Sequence, residues 1–165
     1  MMIKFLLGIL IVAFTTFCGY LLGKKYRKRK QFFMEFSLFN ERFINEISYY
    51  RQPLHDFCLK YAYKSDFDFL LQRFLYCVKE RTPLRENLLP LGEFSFLKAE
   101  EKNIIVNYFS MLGKGDSVSQ KTYFSSMKES LSRLEKGATE TCKRYVDLYI
   151  KIGFLCGLLI LILIL

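Results

Sequence analysis

His55 and Cys58 are the residues whose types and spacing come nearest to a chemical site. His55 is the single histidine of the chain, and Cys58 lies three residues further on, so a helix would place both on one face. Imidazole and thiolate groups are zinc ligands, but a zinc site needs three or four of them. We therefore predict a partly exposed His55 and a protein that is not an enzyme, with no catalytic, cofactor-binding or metal-binding residues. A membrane enzyme that uses His55 and Cys58 is kept as a disfavoured alternative.

A polar, glycine-rich turn is predicted at residues 113–116, which read Gly-Lys-Gly-Asp. This stretch lacks the GxxxxGK[ST] spacing of a phosphate-binding loop, so a connection between two helices is the better interpretation. Gly113 would end one helix in a left-handed conformation, and Asp116 or Ser117 would cap the next. Because core packing does not require a polar turn, Gly113, Asp116 and Gln120 are also our candidates for contact with a partner.

The two ends of the chain are apolar and predict membrane segments. Residues 5–22 are 18 consecutive uncharged positions, which as a helix span about 27 Å of a hydrocarbon core roughly 30 Å thick. Residues 152–165 are also uncharged but reach only about 21 Å, so earlier residues must lengthen this segment while Lys151 extends toward the headgroups. The predicted division is a transmembrane helix over residues 3–23, a cytoplasmic domain over 24–150 and a C-terminal transmembrane segment over 151–165.

Most of the excess positive charge lies beside these membrane segments. The chain has a formal net charge of +9, yet residues 31–150 contain 17 basic and 16 acidic side chains. This balance argues against a nucleic-acid partner, which would need a basic face. The flanking basic residues instead predict binding to membrane lipid headgroups, a cytoplasmic domain and termini on the outer side. The residues assigned to this role are Lys24, Lys25, Arg27, Lys28, Arg29, Lys30 and Lys151.

Helical periodicity runs through the region between the membrane segments. Apolar residues recur every three or four positions from Phe32 to Tyr50, which predicts one unbroken helix from the membrane to about Tyr50. A second helix is predicted to begin at Pro53, since the missing N–H of proline is harmless in a first turn. Ser65 or Asp66 is predicted to cap a third helix. The predicted buried residues are Leu54, Phe57, Cys58 and Tyr61 in the second helix, and Phe67, Leu70, Leu71, Phe74, Leu75 and Val78 in the third.

Three further helices complete the predicted domain. Thr82 and Pro83 are expected to start a short fourth helix, with residues 92–96 as a linker after it. Residues 97–112 predict a fifth helix. From Val118 onward apolar positions repeat into the C-terminal segment, which predicts a last helix of about 48 residues and roughly 70 Å.

The predicted fold class is therefore all-α. We expect a membrane-anchored bundle of about six helices, whose first and last helices are continuous with the terminal transmembrane segments. The domain between them has about 120 residues with phenylalanine, tyrosine and leucine at most inward positions, which is enough to bury one core.

Short motifs occur along the chain in a fixed order. They are residues 23–27 at the end of the first span; residues 46–49 ahead of Pro53 and Leu54; Pro83 and Leu84 with Leu88; the turn at 112–116 with Gln120; Leu134 with Glu135; and the apolar tail. In this order, and over nearly the whole chain, they resemble stage III sporulation protein AB of endospore-forming bacteria. That family often has serine where this chain has Gly115.

The resemblance implies a small helical bundle similar to the cytoplasmic domain of type II secretion and type IV pilus platform proteins. It also implies membership of the sporulation complex between the mother-cell and forespore membranes, in which a secretion-type ATPase is encoded beside this protein. We therefore predict a non-enzymatic platform in the mother-cell membrane around the forespore. Its expected partners are membrane lipid, proteins of that complex including the ATPase, and a neighbouring copy of the chain.

The main alternative is an inner-membrane platform protein of a pilus or type II secretion machine outside sporulation. A single bundle with one span at each end disfavours this alternative, because such platforms normally carry a duplicated bundle and more spans.

Overall fold

The computed structural model describes the backbone of residues 2–49, 53–90 and 92–164, and the side chains of residues 7–47, 53–64, 66–90 and 92–163. The regular elements in these ranges are helices: α1 (Met2–Leu22), α2 (Lys24–Tyr49), α3 (Leu54–Lys60), α4 (Ser65–Lys79), α5 (Leu84–Asn87), α6 (Ala99–Met111) and α7 (Ser117–Ile164). The predicted all-α fold class is confirmed. The chain forms two compact units: the terminal unit, Met1–Lys30 with Gly137–Leu165, and the bundle unit, Gln31–Lys136.

The first helix, predicted to be unbroken, is divided at Gly23 between α1 and α2. The carbonyl oxygen of Gly23 accepts hydrogen bonds from the N–H groups of both Tyr26 and Arg27, over 3.2 Å and 3.3 Å, so a 3₁₀ turn overlaps the α-helical turn here. A side chain has little room at this point, because a Cβ on Gly23 would lie 3.0 Å from Cγ2 of Val146. The predicted end of this helix, Tyr50, lies outside the described residues.

The apolar stripe predicted on this helix forms the centre of the bundle core. Phe32, Phe36, Phe39 and Phe43 are all buried. The ring of Phe36 meets that of Tyr108 edge to face at a centroid distance of 4.7 Å, and the ring of Phe43 meets that of Phe124 at 4.9 Å. Each such pair adds about 0.5–1.5 kcal/mol to the stabilisation from burial. The phenylalanines of α2 therefore hold the bundle together.

The second predicted helix, α3, begins at the expected place, with Pro53 directly before its first residue. Phe57 and Cys58 are buried as predicted, while Leu54 and Tyr61 are half-buried. The third predicted helix, α4, also exists.

The predicted cap of α4 is wrong. Its N-cap residue is Lys64 and makes no side-chain cap hydrogen bond. Asp66 and Asp68 lie instead within the first turn, where negative charge favours the positive end of the helix dipole. On the buried face Cys77 takes the place predicted for Val78, whose side chain is exposed.

The fourth predicted helix is a single turn. α5 comprises only Leu84–Asn87, and its N-cap residue is Pro83 rather than the predicted Thr82. The Thr82 hydroxyl is buried without a hydrogen-bond partner in the described structure.

The segment 92–96, predicted to be a linker, contributes to the core. Phe94 and Phe96 are buried, and their rings lie 6.0 Å and 5.9 Å from that of Phe32. Apolar residues in a turn have no helical period, so the pattern on which the other elements were predicted was missing here.

The last two predicted helices are confirmed as α6 and α7. In the first turn of α6 the backbone N–H of Lys98 donates to Oε2 of Glu101 over 2.9 Å, which fixes the start of the helix. α7 has 48 residues. Phe124 and Leu131 on its predicted core stripe are buried, and the other two stripe residues, Met127 and Leu134, are half-buried.

In the terminal unit, α1 packs antiparallel to the C-terminal part of α7 through glycines. A Cβ on Gly153 would lie 2.5 Å from the carbonyl oxygen of Thr15, and one on Gly157 would lie 2.8 Å from Cα of Val12. Backbone approach of this kind is typical of helix pairs inside membranes. Glycines in GxxxG spacing occur in or beside both helices, at Gly19 and Gly23 and at Gly153 and Gly157.

Two helical stretches of the described residues are long and apolar enough to cross a membrane, Leu7–Ile47 and Ser117–Leu163. Their most apolar 18-residue windows are only 17% and 6% buried within the protein. A core helix of a soluble protein would be mostly buried, so these apolar surfaces favour membrane association.

Candidate functional site

The turn at residues 113–116, here called the Gly113 turn, connects α6 to α7 and is exposed. Gly113 has φ of +74° and Gly115 has φ of +87°, a left-handed region that strains other residue types. The predicted left-handed end of α6 at Gly113 is confirmed. Gly115 adopts the same region, which explains why a serine would be strained at that position in this chain.

Asp116 is the N-cap residue of α7. Its carboxylate accepts hydrogen bonds from the Ser119 hydroxyl and from the backbone N–H groups of Ser119 and Val118, and together these lower the pKa of Asp116. Gln120 belongs to the same turn, because its Nε2 donates to the carbonyl oxygen of Lys114 over 3.1 Å. The structure thus brings the predicted contact residues Gly113, Asp116 and Gln120 together, and contact with a partner stays a prediction.

A cavity of about 260 Å³ opens beside this turn within the bundle unit, and we call it the Glu46 cavity. Its described lining combines apolar side chains of α2 and α3 with polar groups of the turn: Phe43, Glu46, Ile47, Leu54, Phe57, Gly113, Gly115, Ser117 and Gln120. The cavity is therefore lined by parts of two stretches on which the family resemblance rests: Glu46 and Ile47 of 46–49, and Gly113 and Gly115 of 112–116.

Among the described lining residues the charged one is Glu46, whose side chain is buried. Lys60 Nζ lies 3.3 Å from its Oε2, whereas Oε1 is buried with no hydrogen-bond partner in the described structure. A buried polar atom without a partner costs about 1–3 kcal/mol, and more when the group is charged. A lining residue of the cavity thus has one buried carboxylate oxygen without a hydrogen-bond partner in the described structure.

His55 and Cys58 have different environments despite their spacing. The His55 side chain is 67% exposed and its Nδ1 lies 3.3 Å from Oδ1 of Asp56. Cys58 is buried, and burial raises the pKa of its thiol to about 12. Residues of metal-ligating type form no group of three or more in the part of the chain that the structure describes. This arrangement gives no support to the alternative of an enzyme that uses this pair.

The basic residues predicted to contact lipid lie among tyrosines in the terminal unit. The Arg27 guanidinium lies 3.8 Å from the centroid of the Tyr20 ring and donates to the Tyr20 carbonyl oxygen over 2.5 Å. The ring of Tyr26 stacks on that of Tyr145 at 4.9 Å. Tyrosine beside arginine and lysine is typical of the boundary between membrane and water. Binding of lipid by the basic residues of 24–30 and by Lys151 stays a prediction.

The fold defines an all-α protein with two membrane-length helices. Within that class, the family model of stage III sporulation protein AB matches residues 4–165, and the chain belongs to that family. The resemblance found in the sequence is confirmed, and sporulation is the process in which the family acts. No curated protein and no solved structure matches the chain.

Two further features of the structure, besides the break at Gly23 and the burial of the segment 92–96, were not predicted from the sequence. The glycine contacts between α1 and α7 had a readable signal, namely the GxxxG spacing at both ends of the chain. The cavity at Glu46 had no local signal, since a glutamate on an apolar helix resembles a solvent-facing residue until the turn at 113–116 is placed against it.

Proposed function

We propose that this protein is a non-enzymatic assembly platform of a sporulation-specific, secretion-like complex between mother cell and forespore, and that it acts with a secretion-type ATPase. Membership of the stage III sporulation protein AB family supports the process. The two membrane-length helices support an attachment to the membrane. A role outside sporulation, considered above, has no such support.

We place the protein in the mother-cell membrane around the forespore, with the bundle unit in the cytoplasm. The basic run at 24–30 supports this orientation, because positively charged flanks remain on the cytoplasmic side of a membrane. The bundle unit would then lie on the cytoplasmic side of the membrane, where ATP is available to an ATPase.

The observation that supports the proposal most directly is that the exposed Gly113 turn adjoins the Glu46 cavity. Glu46 and Ile47, which belong to the other family-like stretch, line the same cavity. A turn that only connected two helices would need its glycines and its cap but no cavity beside it. We propose that Asp116 and Gln120 of this turn contact the ATPase.

The test is the substitution Asp116→Asn in the full chain. Asparagine caps a helix about as well as aspartate but removes the negative charge. We expect at most a small fall in melting temperature, because the charge at the start of α7 is lost, together with reduced capture of the ATPase from detergent extracts of sporulating cells and reduced spore formation. Glu129→Gln, an exposed charge removal elsewhere on α7, is the matched control and should behave as wild type.

Two results would contradict the proposal at different levels. Normal capture and sporulation in Asp116→Asn would leave Asp116 as a cap alone. If the unmodified chain does not capture the ATPase, the platform role itself is wrong.

A further inference from the structure

We propose that the exposed face of α7 in the terminal unit binds the headgroup of an ethanolamine phospholipid, with the phosphate at Lys151 and the ammonium group at Asp147. Membrane attachment, as in the proposed function, is the premise, whereas the ATPase plays no part. The lipid contact predicted for Lys151 thereby gains a lipid class and a second protein group.

Contacts between α1 and α7 give the depth of Lys151. A Cβ on Gly153 would lie 2.5 Å from the carbonyl oxygen of Thr15. Because the two helices are antiparallel, Lys151, two positions before Gly153, is level with the residue two or three positions after Thr15. The basic run at 24–30 begins six or seven positions further along the chain, about 9–10 Å at the rise of an α-helix. Lys151 therefore lies beside the uncharged stretch of α1.

Asp147 lies one helical turn before Lys151, on the same face of α7. Both residues are exposed, whereas the face of α7 that packs on α1 includes Gly153 and Gly157. A charge exposed at membrane depth must pair with an opposite charge or extend to the headgroups. The long stem of lysine can extend in this way, but the short side chain of aspartate depends on a partner that comes to it.

In the described structure both charges are open to a ligand. No ion pair among the described residues includes Asp147 or Lys151. The two residues and Leu148 line one open depression on α7. Its remaining described lining consists of Glu140, Lys143 and Arg144, which come earlier on the helix. A ligand at the membrane end of this depression would thus meet one base, one acid and apolar surface.

The order of the two charges matches the order of charges in a zwitterionic headgroup. In an ethanolamine phospholipid the phosphate is attached to the glycerol, so it lies nearer to the hydrocarbon than the ammonium group does. Lys151 is the deeper residue, and Asp147 lies about 6 Å closer to the headgroup surface along the helix axis. Phosphate at Lys151 and ammonium at Asp147 therefore place each lipid charge beside a protein charge of opposite sign.

Asp147 selects ethanolamine over two other headgroups. A primary ammonium group has three N–H donors for a carboxylate, whereas the quaternary ammonium group of choline has none. A glycerol headgroup adds no positive charge, so its phosphate at this site would lie near an unpaired carboxylate. Anionic lipid is favoured instead at the basic run at 24–30, which contains no acidic residue.

The binding test uses fluorescence, because the chain contains no tryptophan. Leu148 is 46% exposed, and Leu148→Trp places a single reporter in the depression. The full chain is reconstituted in phosphatidylcholine nanodiscs with a small fraction of ethanolamine, choline or glycerol phospholipid, brominated near the top of its acyl chains. We expect the ethanolamine lipid to quench at a mole fraction at least about fivefold lower than the other two. Equal quenching by the three lipids, or strongest quenching by the glycerol lipid, would overturn the proposal.

Leu21→Trp is the matched control for depth. Leu21 is 48% exposed on α1, and it is about level with Leu148, since a Cβ on Gly19 would lie 2.3 Å from the carbonyl oxygen of Tyr149. The three brominated lipids should quench this reporter equally. The same ethanolamine preference at Leu21→Trp would belong to the whole membrane boundary rather than to this face of α7, and it would overturn the proposal.

Three variants in the Leu148→Trp background connect the preference to the two charges. Asp147→Asn should quench equally with ethanolamine and choline lipids, and Lys151→Gln should weaken quenching by both. The pair Asp147→Lys with Lys151→Asp keeps both charges and their spacing but reverses their order, so it should also lose the ethanolamine preference. A preference that persists in Asp147→Asn or in the reversed pair would refute the proposed geometry.

The two reporters separate this inference from the proposed function. If no brominated lipid quenches either reporter, the terminal unit is not in the bilayer, and membrane attachment fails together with the lipid site. If both reporters are quenched without any lipid preference, membrane attachment stands and the lipid site alone is wrong.

Discussion

The hydroxyl of Tyr108 donates a hydrogen bond to Oδ1 of Asn40 over 2.9 Å, and both residues are buried in the aromatic core. Nδ2 of Asn40 in turn donates to the carbonyl oxygen of Phe124 over 3.1 Å. One amide therefore links α2 to both α6 and α7. Because a polar pair inside an apolar core is satisfied in one arrangement of these helices only, it fixes their register.

The first prediction is that Asn40 and Tyr108 are energetically coupled. Tyr108→Phe and Asn40→Leu each leave a buried polar atom without its partner, so each should lower the free energy of unfolding by about 1–3 kcal/mol. The double variant should lose less than the sum, with a coupling of at least about 0.5 kcal/mol. Urea unfolding of the full chain in micelles measures all four proteins, and additive losses would show that the pair is not a unit.

The second prediction concerns alkaline pH. Burial raises the pKa of Tyr108 well above its ordinary value, whereas an unfolded tyrosine titrates near 10. Above pH 10 the unfolded state releases a proton that the folded state keeps, so stability falls as pH rises, by about 1.4 kcal/mol per pH unit from this residue. In Tyr108→Phe the free energy of unfolding should fall less steeply with pH, because the contribution of Tyr108 is absent. Parallel stability curves for the two proteins between pH 9 and 11 would contradict the prediction.

The third prediction tests the core stripe of α7. Leu131 is buried, and Leu131→Asp would place an unpaired charge in the core at a cost of several kcal/mol against a typical stability of about 5–15 kcal/mol. We expect the bundle unit to unfold, seen as loss of near-ultraviolet circular dichroism from its tyrosines. Glu129→Gln on the exposed face should change stability by less than about 0.5 kcal/mol. Equal melting temperatures for Leu131→Asp and wild type would refute the stripe.

Helical periodicity predicted the elements well because the core of this protein is built from stripes. The spacing of Phe32, Phe36, Phe39 and Phe43 can be satisfied by one helix face only, and the structure buries all four. The segment 92–96 has no helical repeat of apolar residues, so the burial of Phe94 was not predicted. At Gly23 the close approach of Val146 comes from a helix more than a hundred residues away, which no local pattern contains.

The candidate site was also predictable only in part, because contacts between distant parts of the chain leave no local sequence pattern. The turn at Gly113 is a local feature, since glycine supplies the left-handed backbone and Asp116 the cap. The environment of Glu46 is not local, because it arises when α2, α3 and the turn surround one carboxylate. Sequence could therefore name the turn but could not show that a buried charge lies beside it.

The fourth prediction concerns the reactivity of Cys58. With a thiol pKa of about 12, about one molecule in ten thousand carries the reactive thiolate at pH 8. Iodoacetamide should therefore modify Cys58 only when the bundle unfolds, as followed by mass spectrometry with and without urea. His55→Ala should leave this rate unchanged. A rate that depends on His55 would revive the alternative of an enzyme that uses the two residues.

The fifth prediction is that the glycines of the terminal unit set the distance between α1 and α7. At Gly153 even a Cβ would lie 2.5 Å from the carbonyl oxygen of Thr15, so Gly153→Leu must push the two backbones apart. Cys18 and Cys156 are exposed on these helices and can carry spin labels in the full chain. Their distance distribution should shift to longer values and broaden in the variant.

Gly137→Ala is the matched control for this experiment. Gly137 lies within α7, and a Cβ there would have no atom within 4 Å. Alanine should therefore leave the distance between the labels unchanged and raise stability by about 0.5–1 kcal/mol, because glycine is the poorer helix former. If Gly153→Leu gave the same label distances as Gly137→Ala, the close packing of α1 on α7 would be wrong.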